Sequence, residues 1–207
     1  DPAVDDTQRL HARAVSLLER HGVVGREFAL AEGMVGGFAA LYPVLREMEN
    51  LGQVRRGWFV TGLGGGQFAL PGAVDRLRAA RELDEVVVLA ATDPASPYGA
   101  VVPFPEGELG QLRRESGATV VLVGGHLVLY IGKGQARLAA VAHPSEPAAA
   151  WKRAVAALSH SRSRARQGSL RFAQLNGAEP ADGPLVQALV AAGIAWDGRA
   201  LSLEVAP

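Results

Sequence analysis

Residues 55–70, RRGWFVTGLGGGQFAL, set two arginines and a tryptophan ahead of a glycine cluster, a composition able to meet a polyanion. Glycine-rich loops cradle phosphates through backbone N–H groups, but the P-loop form needs Lys and then Ser or Thr after its last glycine, with a helix leaving at once. Gln67 and the strand-like QFAL stand there instead, and a dinucleotide fingerprint would need its third glycine where Gln67 sits. The glycines read better as the tip of a hairpin, where positive φ and close backbone approach favour glycine. Arg55, Arg56 and Trp58 then open its first strand, with Arg56 and Trp58 on one face and Arg55 on the other. The arginines are expected to meet phosphates. Trp58 is expected to cover the core, the alternative being that it stacks on a base or sugar.

The densest charge lies in residues 151–171, where Lys152, Arg153, Arg162, Arg164, Arg166 and Arg171 occur without a carboxylate. Such a cluster could bind phosphates with a strong salt dependence. Cations also suit the C-terminal dipole of a helix, so a solvated helix end is the competing reading. Asp93 in TDPASPYG and Asp197 in WDGR sit in turn sequences, where a carboxylate commonly caps its own backbone. His11, His21, His126, His143 and His160 are scattered without metal-ligand spacing, so no metal site is expected. The chain has no cysteine, which removes disulfides, thiolate metal sites and cysteine nucleophiles and fits a reducing, cytoplasmic setting.

These residues need elements to position them. In 207 residues, 48% are hydrophobic, enough for one large or two small cores, while 21 basic and 21 acidic residues give no net field towards nucleic acid or membrane. No apolar run reaches the ~18 residues of a membrane span. The opening DPAVDDTQRL has no signal-peptide character and reads as an interdomain linker of a longer protein. Residues 7–21 carry Leu10, Ala14, Leu17 and Leu18 on one helical face, with Thr7 as N-cap and Gly22 as stop. A short helix follows at 26–32, then one with its core at 41–51, where Leu41, Leu45, Met48 and Leu51 recur and Pro43 should fall in the first turn. Three helices and a hairpin tipped at 61–66 make a winged helix over 7–70, and Pro71 opens a further helix to Arg81. From residue 84 the texture changes. VVVLAA is a buried strand, a loop with four prolines follows, and strand–Gly-Gly–strand at 118–134 is a hairpin. Further short strands and helices at 145–166 and near 184–192 suggest a small, partly open β-barrel with helical decorations. The expected organisation is α+β, a winged helix with N-terminal linker at 1–83 and a β-barrel-like module at 84–207, the boundary falling near 83–85.

Three strings, GGFAALYPVLREMENLGQVRRGWFVTGLGGGQFALPGAVDRLRAAR, VVVLAATDPASPYGAVVPFP and GATVVLVGGHLVLYIGKG, resemble the C-terminal region of the large helicase-related (Lhr) family of bacterial DNA helicases, over about residues 19–207. The resemblance implies an ATPase motor in preceding helicase domains, where ATP and Mg would bind, and an extended region of winged helices ending in a β-barrel module. That end is also similar to winged-helix DNA glycosylases. This sequence has no Walker lysine motif and no Asp-Glu-x-His box, so no cofactor is expected in it. The leading expectation is a non-motor DNA-binding module of a repair helicase, with DNA and the helicase domains of the same chain as partners. One alternative is a glycosylase domain excising a damaged or deaminated base, so whether the region is itself an enzyme stays open. Asp93 or Asp197 would then position water and stabilise the sugar cation, and Tyr98 would be a wedge aiding base flipping. A third reading is an oligomerisation module. The DNA-binding candidates are Arg46 on the third helix, Arg55, Arg56 and Trp58 on the wing, Tyr98, and Lys152, Arg153, Arg162, Arg164 and Arg166.

Overall fold

A computed structural model describes residues 5–80 and 84–205; residues 1–4, read as part of a linker, Arg81 at the end of the fourth helix and part of the expected boundary lie outside them. The chain divides into two compact units, Asp1–Leu83 and Asp84–Pro207.

In the first unit, helix α1 (Asp6–His21) buries Ala14, Leu17 and Leu18. It starts two residues earlier than its sequence suggests, with Asp5 rather than Thr7 at the cap position, and ends at Gly22, whose φ of 72° places its N–H 2.7 Å from Leu18 O. Strand β1 (Val23–Val24), helix α2 (Arg26–Ala31) and helix α3 (Gly37–Asn50) follow. Helix α3 begins before its expected core, so Pro43 lies inside the helix and not in the first turn. A proline there forgoes a helical hydrogen bond; the opposing gain is that Phe38 and Tyr42 pack on Phe68, with ring centroids 6.4 and 5.9 Å away. Leu41, Leu45 and Met48 are buried as their spacing predicts, but Leu51 is exposed beyond the helix end. Strands β2 (Arg55–Gly57) and β3 (Gln67–Ala69) form the hairpin. β1 pairs with the other edge of β3, giving an antiparallel sheet β1-β3-β2 with Phe68 between Val24 and Arg56. Helix α4 (Pro71–Ala80) closes the unit.

The second unit is built on a five-stranded sheet of order β4-β5-β6-β7-β9. Its strands are β4 (Val86–Ala90), β5 (Thr119–Val123), β6 (His126–Ile131), β7 (Arg137–Ala140) and β9 (Gln174–Leu175). The β5–β6 turn is Gly124-Gly125, both with positive φ (54° and 83°), the backbone that a two-residue hairpin requires. Helix α5 (Pro147–Arg164) and helix α6 (Pro184–Ala191) pack on one face over Val121, Leu129, Phe172 and Leu201. The long loop covers the other face, where Tyr98, Phe104, Leu109 and Leu112 pack against Val120, Leu127 and Tyr130. Strand β8 (Leu170–Phe172) leaves for a second sheet with β10 (Ala195–Trp196) and β11 (Leu201–Leu203). The sheets are not closed into a barrel: β4 and β9 are the two ends of the larger sheet, and β9 adds only a two-residue parallel pairing to β7. For the same reason β4 is a half-exposed edge strand and not a buried one. No helix among the described residues is long and apolar enough to cross a membrane.

Candidate nucleic-acid interface

The wing is held from inside by one residue. Gln67, fully buried on β3, accepts hydrogen bonds at Oε1 from Phe59 N–H (2.9 Å) and Val60 N–H (2.8 Å) and donates from Nε2 to Val60 O (3.0 Å) and Leu63 O (3.3 Å). Gly64 N–H is bound by Glu27 Oε1 at 3.3 Å. The amides of Phe59 and Val60 leading into the glycine loop and that of Gly64 within it are therefore occupied by side chains, the last by a carboxylate, which opposes a phosphate cradle. In the sequence Gln67 marked only a missing lysine; its cross-loop role had no local signal.

Trp58 follows β2 and is 80% exposed, so it does not cover the core. That position is filled by Phe68 and Leu63 from the hairpin and by the aromatic rings of α3. Arg55 is exposed, whereas Arg56 turns to α3, with Nη1 3.3 Å from Tyr42 Oη and Nε 3.4 Å from Glu49. On the exposed side of α3, Arg46 stands beside Glu47, which Asn50 bonds at 3.2 Å.

The six cations of residues 151–171 do not form one patch. Arg153 grips Asp84, with Nη1 2.6 Å from Oδ2 and Nη2 donating to the Asp84 carbonyl. Arg171 lies 2.7 Å from Asp197. Arg162 is only 9% exposed and donates to Gly168 O (2.7 Å) and Gln135 Oε1 (3.3 Å); desolvation holds its pKa below the ordinary value. Lys152, Arg164 and Arg166 are exposed without a carboxylate partner among the described residues. The neutralising acids come from distant sequence, which is why the stretch itself looked unopposed.

The two candidate carboxylates behave as turn residues. Asp93 Oδ1 accepts from Ala95 N–H at 2.8 Å, and Arg114 holds the carbonyls of Thr92 and Asp93 at 3.2 and 3.1 Å. Asp197 Oδ1 accepts from Ala200 N–H (2.8 Å) and Arg199 N–H (2.9 Å); these bonds, then Arg171, draw its pKa down to about 2. Tyr98 is not a projecting wedge: its hydroxyl donates to Gly125 O and accepts from Leu127 N–H, each at 3.2 Å, and its ring stacks on Phe104. Those bonds tie the proline-rich loop to the Gly-Gly turn. The fold also brings His126 and His143 to 4.9 Å, ring to ring.

Helix order, three-stranded sheet and projecting wing define a winged-helix protein, here followed by an α+β unit. The family model described as the large helicase-related protein winged-helix domain matches residues 3–87. The chain is 41% identical, over 97% of its length, to a Mycolicibacterium smegmatis protein named Lhr helicase/probable uracil glycosylase. It is 39% identical, over 63% of its length, to the Lhr helicase/uracil glycosylase of Escherichia coli K12. The chain spans 14% and 9% of the length of these relatives. It belongs to the large helicase-related (Lhr) family and falls in the C-terminal region of that family.

Proposed function

We propose that this chain is a non-motor, DNA-binding module of an ATP-dependent DNA repair helicase, whose preceding helicase domains bind ATP and Mg. The observation that carries this is the wing of a family-matched winged helix, which presents exposed Arg55 and Trp58 from a loop locked by Gln67. Arginine would neutralise phosphate and the indole would stack on a base in a sequence-tolerant way. Lys152, Arg164 and Arg166 supply a second set of exposed cations. The test is fluorescence anisotropy with labelled single-stranded and duplex oligonucleotides across a salt series. Binding should weaken for all sequences alike as salt rises, and Arg164→Ala with Arg166→Ala should flatten the slope of log affinity against log salt by about one unit per lost phosphate contact. Absence of binding at low salt would reject the reading.

A second reading, a base-excising glycosylase, is favoured by the names of both relatives. Asp197 has both carboxylate oxygens engaged, whereas Asp93 Oδ2 has no hydrogen-bond partner among the described residues, so Asp93 is the better candidate. Uracil-containing oligonucleotides should then yield abasic sites with the native chain and none with Asp93→Asn, while binding is retained. Oligomerisation is the third reading. The unpaired edge of β4, apolar throughout, is what supports it, and light scattering decides it.

A further inference from the structure

Strand β4 is one edge of the larger sheet, and it carries none of the features by which proteins keep an edge unpaired. Its sequence, VVVLA, has no charge, proline or glycine, and its register with β5 runs without a bulge from Val86↔Val123 to Ala90↔Thr119. The ends of that ladder fix which residues bond inwards. Gly124 N–H donates to Glu85 O at 2.9 Å and Ala91 N–H donates to Ala118 O at 2.8 Å, so the odd-numbered residues of β4 bond to β5. The N–H and C=O groups of Val86 and Val88, and the N–H of Ala90, therefore point away from the sheet. Among the described residues only the Ala90 carbonyl on that side is taken, by Asp93 N–H at 3.0 Å.

The same edge borders a groove against α5. Val86 and Val88 pack on the α5 side of the sheet, and Ala157, His160, Ser161 and Arg164 complete the walls. The Arg153–Asp84 pair fixes the head of β4, and Arg164 lies about three turns further along α5. Arg164 is exposed, with no carboxylate partner among the described residues. We infer that this edge and groove bind an extended segment of a partner protein, added as a further strand antiparallel to β4, with apolar side chains at alternate positions and a carboxylate for Arg164. Main-chain bonds to Val86 and Val88 hold such a segment, and the groove selects its apolar side chains. A second copy fits less well. A symmetric β4–β4 pair brings both α5 helices to one face, where His160 and Arg164 of one copy confront those of the other. An acidic segment neutralises Arg164 instead. The inference does not depend on DNA binding, but it gives Arg164 a second anionic partner, so segment and phosphate exclude one another there.

The test is an amide chemical-shift titration of the ¹⁵N-labelled chain with a capped hexapeptide in which glutamate, valine and valine alternate with threonine, the glutamate leading. The peptide should give saturable shifts at Val86, Val88 and Ala90, and the same peptide N-methylated at its valines should give none. Val88→Pro should abolish the shifts in a chain that stays folded, because proline is tolerated on an edge strand where its missing N–H faces outwards. Arg164→Glu should weaken the glutamate peptide about two- to fivefold, the range of an exposed ion pair, and should favour a peptide led by lysine. No shifts at these amides, or shifts that survive N-methylation or Val88→Pro, would overturn the inference. So would light scattering that shows a dimer of the chain which Val88→Pro dissociates, since the edge would then belong to a second copy.

Discussion

Arg162 and Arg164 are two residues apart and have opposite tasks. Arg162 is buried and bonded to the Gly168 carbonyl, so Arg162→Ala leaves an acceptor unpaired and should cost roughly 1–3 kcal/mol in urea denaturation, with no change in the salt dependence of DNA binding. Arg164 is exposed, and its replacement should do the reverse. Asp197 provides a pH-dependent test of its turn role. Its folded pKa, about 2, lies below the ordinary 3.8, so its stabilising effect is complete above about pH 4 and is lost as pH falls towards 2. Asp197→Asn should therefore lower the urea midpoint at neutral pH and flatten its fall between those values. An acid limb identical to that of the native chain would show that the turn bonds contribute nothing.

The wing is the element in which rigidity and binding can be separated. Gln67→Ala withdraws the partner of four backbone groups and should destabilise the first unit by roughly 2 kcal/mol, with faster hydrogen exchange at Phe59 and Val60. Trp58→Ala removes a ring that packs on nothing essential, so stability should stay within about 0.5 kcal/mol. Single-strand affinity should nevertheless fall by roughly 1–3 kcal/mol if a base stacks on the indole. Arg56→Ala should be felt mainly as a loosened β2–α3 contact, because its guanidinium already serves Tyr42 and Glu49.

Each of the two units has its own buried set: Leu18, Leu41, Leu45 and Phe68 in the first, Val121, Leu129, Phe172 and Leu201 in the second. Expressed separately, residues 1–83 and 84–207 should each unfold in a single cooperative urea transition followed by circular dichroism. A piece that is unfolded in buffer would show that its core is not self-sufficient. The whole chain should hydrolyse no ATP, since Glu27 occupies the Gly64 amide of its glycine loop and no phosphate-binding lysine follows it. Turnover that persists in a clean preparation would overturn that.

Local pattern carried much of the fold. Apolar spacing located α1 and α3, consecutive glycines located the β5–β6 turn, and glycines between two strand-like runs located the wing, because each signal is written within a few residues. The two-residue β1 is too short for any period, and the open edges of the larger sheet depend on pairings between distant strands. Charge was the least legible property. Arg153 meets Asp84 across 69 residues, and Arg171 meets an aspartate in the β10–β11 turn, so a run of cations without a local acid was neutralised only when the chain closed on itself. Trp58, Tyr98 and Arg162 changed roles for the same reason. Residue type sets what a side chain can bond to, but whether it faces solvent, a carbonyl or a ring depends on neighbours supplied from far along the chain.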